Sequence, residues 1–273
     1  MSEDRSAIFT AVSLPQAYAR HLVPQLFDPW ARELLARADA PRGASVLDVA
    51  CGPGTLTRIA AAHVGAQGRV LGSDISAPML AQAAQIDAEA GAAPISYLER
   101  SVTDMGLADH SFDVVLCQQG LQFFPDRPAA LAEMRRVLAP GGRILIATWA
   151  AEQPLGLFGP IAQAVAAAGV PEPFPRAFDP LSYALDAGEL RALLGDAGFD
   201  EVDVQTVELE CVWQSGAQAI AAISGTPFAV LVAALDPKER EALHAAVLDG
   251  LGCSAEGELR VATFSHIASA VNP

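Results

Sequence analysis

Two glycines and an acid carry the first chemical signal in this chain. Gly52 and Gly54 lie in the stretch V-L-D-V-A-C-G-P-G-T-L-T, Val46 to Thr57, and Asp74 follows twenty residues after Gly54. Glycine has no Cβ to hold a ligand off the main chain and reaches φ > 0 without strain. The N–H groups opening a helix can then receive a carboxylate or phosphate, and an acid about twenty residues on can accept both hydroxyls of a ribose. These residue types suit an adenosine-like ligand with an anionic tail. A second polar group, Gln118, Gln119 and Gln122 with Phe123 beside them, follows the apolar run F-D-V-V-L-C.

The elements that must position these residues are legible around them. Val46, Leu47 and Val49 suit a buried strand, and the Ala-rich run Thr55 to His63 suits the helix after the glycine turn. Val70 to Ser73 reads as a second strand ending at Asp74, after which Ser76 caps a helix that tolerates Pro78 in its first turn. Ile95 to Glu99 and Phe112 to Cys117 read as the third and fourth strands. Arg127 to Leu138 has helical spacing, Ala139 to Gly142 reads as a turn, and Arg143 to Trp149 as a fifth strand. Strands alternating with helices predict a parallel sheet with helices on both faces, with ligands outside the carboxyl ends of the strands. Gln118, Gln122, Phe123 and Trp149 fall there, Trp149 either walling a substrate pocket or packing beneath it.

The glycine spacing discriminates between cofactor classes. Thr57 stands where G-x-G-x-x-G needs its third glycine, which weakens a dinucleotide reading. As it stands, D-V-A-C-G-P-G resembles the first motif of class I S-adenosylmethionine (SAM) dependent methyltransferases, and the L-x-P-G-G-x-L-like run from Leu138 to Leu145 continues the resemblance as far as residue 150. Within that family the nearest likeness is to the methyltransferase type 11 group, which includes the ubiquinone-menaquinone C-methyltransferases. The resemblance implies a Rossmann-like, seven-stranded, mostly parallel sheet with an antiparallel last strand, helices on both faces and helical lid insertions. It implies SAM as cofactor, with Ala50, Cys51, Gly52, Gly54 and Gln118 around its methionine end and Asp74 on the ribose. Ile75, Met79, Ser101 and Val102 then surround the adenine, and Tyr18 closes on the methionine end. Cys51, which the motif places to face the cofactor, reads more readily from its size as a small packing residue than as a reactive thiol.

Two departures from the family pattern stand out. Arg100, Ser101 and Val102 occupy the place of the usual G-D-A, so Ser101 replaces the acid that bonds the adenine amino group, with Asp104 as a nearby substitute. Gln122 and Phe123 replace both histidines of the common L-H-H-x-P-D loop. No general base is named by the sequence, and no catalytic residue is assigned.

Composition bounds the rest. The chain has 273 residues, 52% of them hydrophobic, with a mean hydropathy of +0.30, yet no apolar run approaches the ~18 residues of a membrane span. The M-S-E-D-R-S start lacks a signal-peptide layout, so a cytoplasmic protein is expected. Cys51, Cys117, Cys211 and Cys253 are too scattered for a disulfide frame or metal site. With 32 acidic against 17 basic residues, the net charge of −15 argues against nucleic-acid substrates. Three regions are expected: an N-terminal helical cap over 1–40, a SAM-binding core over 41–150, and lid helices with closing strands over 151–273. Within the last, Pro171 to Pro175 reads as a stiff linker, Gly188 to Gly198 as a helix, and Val202 to Trp213 and Glu258 to Ala270 as strands. Insertions at 151–187 and 214–256 form the lid, and His244 and His266 are structural. The activity expected is methylation of carbon or oxygen on a small, largely apolar metabolite. The alternatives are methylation of a carrier-bound acyl acid and a SAM-binding module that does not transfer. Oligomeric state does not follow from the sequence.

Overall fold

Strands buried on both faces are largely apolar, and the central strand here is built that way apart from Asp48. In the computed structural model, which describes residues 14–168, 184–226 and 228–273, β1 (Ser45–Val49) sends Val46 into one core cluster and Leu47 and Val49 into the other. Parallel neighbours flank it, β2 (Arg69–Asp74) on one side and β4 (Phe112–Gln118) on the other. With β3 (Ile95–Glu99), β5 (Leu138–Ala150), β7 (Asp200–Trp213) and β8 (Leu259–Val271), the order is β3-β2-β1-β4-β5-β8-β7. β8 runs antiparallel to both β5 and β7. The sheet is the expected Rossmann-like one, with an eighth strand added: β6 (Ala184–Leu185), two residues that pair with Trp149 and Ala150. Chain order reverses between β1 and β4, which makes their carboxyl ends the crevice of the sheet.

The helices over this sheet start where side chains can hold their first N–H groups. Ser76 accepts from Met79 N at the head of α4 (Ala77–Ala83), Asp126 from Ala129 N at the head of α5 (Arg127–Val137), and Asp236 forms a capping box with Glu239 on α10 (Pro237–Gly250). α3 (Thr55–Val64) follows the glycine turn with Gly54 as its cap residue, and no side chain caps it. Before β1 come α1 (Leu14–His21), a π-helical turn (Val23–Phe27) and α2 (Asp28–Ala36). After β5 come α6 (Phe158–Ala167), α7 (Ala187–Asp196), α8 (Gly216–Ala222), a 3-10 turn (Ile223–Gly225) and α9 (Ala229–Ala234). Among the described residues no helix is long and apolar enough to cross a membrane.

One sequence reading changes. Ala139 to Gly142 is not a separate turn before a fifth strand but lies inside β5. The β4 partner moves from Phe112 to Val114 while β5 moves from Leu138 to Arg143, so the extra residues loop out as a bulge, with Gly141 at φ 74°. The proline run at 171–175 lies outside the described residues.

Gly72, opposite Asp48 in the β1–β2 ladder, has its missing side chain replaced by neighbours: a Cβ there would come 2.9 Å from Cys51 Sγ and 2.9 Å from Tyr97 Cδ1. Gly72→Val is therefore expected to destabilise the fold by about 1–3 kcal/mol through overpacking, measured as a lowered urea midpoint. An unchanged midpoint would show that this layer yields freely.

Candidate functional site

Both strands at the crevice end in residues forced into left-handed backbone. Ala50, following β1, has φ 56°, and Gln119, following β4, has φ 54°. Such conformations are costly for non-glycine residues and gather at functional sites. Beyond Ala50 the chain turns through Gly52 (φ 53°) and Gly54 (φ 74°), with Cys51 N–H donating to Ser73 O at 3.1 Å and Gly54 N–H to Cys51 O at 2.9 Å. Asp74 fastens this turn to the end of β2. Its Oδ2 accepts from Gly52 N–H and its Oδ1 from Ser76 N–H, each at 2.8 Å. Burial raises the Asp74 pKa while those N–H groups pull it down. A carboxylate offers roughly four lone-pair sites, so acceptor capacity remains for a ligand diol.

Beneath the turn lies a residue that the sequence reading passed over although it stands in the quoted motif. Asp48 is 1% exposed; its Oδ2 accepts from Thr57 Oγ1 at 2.6 Å, and its Oδ1 has no hydrogen-bond partner. Burial pushes its carboxyl up to about 7, a rise that the Thr57 bond opposes and the nearby Asp74 charge adds to. Arg58 steadies the turn from α3 by donating to Pro53 O at 2.9 Å.

A cavity of about 280 Å³ opens from this corner. Ala50, Gly52, Asp74, Ile75 and Met79 line it together with Ser101, Val102 and Gln118, and Tyr18, Phe123 and Trp149 complete this part of the wall. Three residues expected at the site do not reach the wall. Cys51 turns its sulfur under the loop, 7% exposed, toward the space that Gly72 leaves. Gly54 faces Tyr97, Ala83 and Arg58 behind the loop. Gln122 is fully buried and donates from Nε2 to Gln119 Oε1 at 3.1 Å, while Gln119 donates to Ser265 Oγ at 2.8 Å, a brace between β4 and β8. Asp104 is also absent from the wall, whereas Ser101 is on it.

Part of the wall is aromatic. Tyr18 stacks on Phe27 at 4.7 Å between centroids, Phe27 lies 6.3 Å from Trp149, and Trp149 lies 5.9 Å from Phe158. Phe27, Phe158 and Phe228 were not read as site residues from the sequence; they come from separate helices and loops, and only their aromatic type hinted at them. Gln118 Nε2 donates to Phe27 O at 2.8 Å, tying the helical cap to the sheet and leaving Gln118 Oε1 as an acceptor. Gly225 also lines the cavity, and a Cβ on it would come 2.8 Å from Tyr18 Cα.

Charge is sparse in the cavity. Asp74, Tyr18 and Arg100 are the ionisable side chains on its wall among the described residues. Burial raises the Tyr18 phenol pKa well above its ordinary value, and the Asp74 charge adds to this. Among the described residues no histidine lines the wall: His266 bonds Glu152 at 2.7 Å and Thr206 at 3.0 Å, and His63 and His110 bond backbone carbonyls.

Asp48 gives a pH test of this arrangement. Its folded-state pKa lies above that of an unfolded aspartate, so between the two values the folded chain binds more protons and stability falls as pH rises. From about pH 5 to about pH 8, the wild type is expected to lose roughly 2–3 kcal/mol more unfolding free energy than Asp48→Asn. Denaturant titrations across that range that ran parallel for the two proteins would contradict the buried acid.

Comparison with known proteins agrees with the geometry. The methyltransferase domain family matches residues 46–142. Nocamycin O-methyltransferase from Saccharothrix syringae is 38% identical over 137 residues, 50% of this chain and 45% of that protein. Demethylmenaquinone methyltransferase from Lactiplantibacillus plantarum is 37% identical over 128 residues, 46% of this chain and 54% of that protein. The chain thus spans about half the length of these curated relatives. Among solved structures, the [4+2]-cyclase SpnF superposes with a TM-score of 0.62 at 18% identity, covering 99% of this chain and 95% of its own, a likeness of fold. The domain at residues 46–142 belongs to the class I SAM-dependent methyltransferase family and is related in sequence to the demethylmenaquinone methyltransferases.

Proposed function

We propose that this chain uses SAM to methylate carbon or oxygen on a small, largely apolar metabolite. One observation carries the reading: a single cavity joins the Asp74–Gly52 corner to an aromatic wall. The residues present fit the cofactor. A Cβ on Gly52 would meet no atom within 4 Å, so the glycine keeps an open cradle beside the main chain. The spare acceptor sites of Asp74 suit ribose hydroxyls. The Ala50 carbonyl and Gln118 Oε1 suit an ammonium. Gly52 N–H itself is taken by Asp74 and contributes by position alone. Ile75, 53% exposed despite its size, and Met79 offer apolar surface to adenine, with Ser101 and Val102 at its edge. Tyr18 covers the methionine end, in keeping with a cap over 1–40, a cofactor-binding core over 41–150 and lid and closing strands over 151–273.

When bound, SAM supplies a methyl group already activated on a sulfonium. The chain's task is then to orient the acceptor and exclude water, and positioning of this kind supplies roughly 7–11 kcal/mol. Phe27, Phe123, Trp149 and Phe158 form the surface for a flat apolar acceptor. With no imidazole on the wall among the described residues, the reading favours acceptors that give up a proton readily, such as phenols or acidic C–H groups. A second reading, a SAM-binding module without transfer, draws support from the same lack of a base and from the fold shared with a cyclase.

Two experiments decide. Incubation with SAM and a panel of phenolic and 1,3-dicarbonyl acceptors is expected to release S-adenosylhomocysteine in step with methylated product. Cofactor binding with no release across the panel would favour the second reading. Asp74→Ala is expected to weaken S-adenosylhomocysteine binding by about 1–3 kcal/mol in titration calorimetry, with circular dichroism confirming the fold. Unchanged affinity would remove the ribose assignment.

A further inference from the structure

The purine end of the cavity departs from what an amino-group reader requires. In sheet order β3 is the strand beyond β2, so a base carried on a ribose at Asp74 extends over the end of β3. There Arg100, Ser101, Val102 and Thr103 line the cavity. Ser101 Oγ and Thr103 Oγ1 lie 2.9 Å apart, and Thr103 N–H donates to Ser101 Oγ at 3.3 Å. Asp104 N–H turns back to Ser101 O at 3.1 Å, and its side chain is off the wall. Asp74, already bonded to Gly52 and Ser76, is the sole carboxylate on the cavity wall among the described residues.

We infer that this site selects only weakly for the 6-amino group of the purine, because the hydroxyls of Ser101 and Thr103 satisfy one another whether or not that group is present. The inference rests on the adenosine reading above. A binding site rejects an analogue strongly when loss of a ligand group strands a buried polar partner. Here nothing is stranded: the two hydroxyls remain paired, and Thr103 is exposed and open to water. Arg100 beside them is a donor only and cannot accept from an amino group. Recognition of the cofactor therefore falls on the ribose and amino-acid portions, with the base held by its faces against Ile75 and Met79.

The test compares two ligands on the full chain by titration calorimetry: S-adenosylhomocysteine, and its analogue with hydrogen in place of the 6-amino group. The affinities are expected to differ by less than about tenfold, and a preference for S-adenosylhomocysteine of tenfold or more would overturn the inference. Ser101→Asp installs a charged acceptor at this edge and is expected to widen the preference for the amino-bearing ligand by at least about tenfold. An unchanged ratio in that variant would show that the base does not lie over residues 101–103. Failure of the wild type to bind S-adenosylhomocysteine at all would instead overturn the adenosine reading, and this inference with it, a result distinct from tight binding of both ligands.

Discussion

The hydrogen bond from Gly52 N–H to Asp74 Oδ2 sets the geometry of everything above the sheet. It joins the turn after β1 to the end of β2, two strands that are otherwise held together by their ladder below. With that bond made, Ala50 and Gly52 stay in left-handed backbone, and α3 begins directly after the turn with Gly54 as its cap residue. The acid is thus both a structural clamp and, through its remaining lone pairs, an acceptor facing the cavity. A charged acceptor bonded by backbone N–H groups is a stronger tie than a neutral one, and its burial makes the loss of either partner expensive.

The aromatic wall depends on a different set of ties, all reaching across the sequence. Gln118 holds the Phe27 carbonyl, Trp30 Nε1 donates to Thr263 Oγ1 at 3.0 Å, and Gln119 reaches Ser265. Each fixes a helix or loop onto the strand that must lie beneath it, so the rings at 18, 27, 149 and 158 meet in a set arrangement. Trp30 packs edge-on against Trp149 at 6.2 Å from below. Aromatic contacts of this kind add modestly beyond the area they bury; the buried polar ties give the arrangement its register.

What was legible in the sequence was what is local. The strand, glycine turn and helix at 46–64 and the strand ending at Asp74 follow from period and punctuation, whereas the antiparallel closing strand is implied by the family resemblance. Side-chain direction in a left-handed turn does not follow. Positive φ at Ala50 sends Cys51 beneath the loop into the space that Gly72 leaves, in line with its packing reading, and the path after Gln119 buries Gln122, so that a residue read as cavity-lining became a brace. Phe27, Phe158 and Phe228 escaped because their meeting is a matter of tertiary contact between distant segments. The bulge at Ala139–Gly142 reads as a turn from its proline and two glycines, since nothing local reveals that pairing with β4 resumes on both sides of it. Asp48 was in plain view, but an acid within a motif carries no mark that it will be sealed from water.

Where Gly225 passes Tyr18, two parts of the roof that are far apart in the sequence touch main chain to main chain, with no side chain between them. They act as two leaves of one cover, each fitted to the outline of the other. A lineage reshaping this part of the cavity could not enlarge one leaf alone without opening a seam between them. Drift in the shape of the cavity should therefore leave its trace as correlated replacements on both sides of that crossing, while the Asp74–Gly52 corner stays as it is.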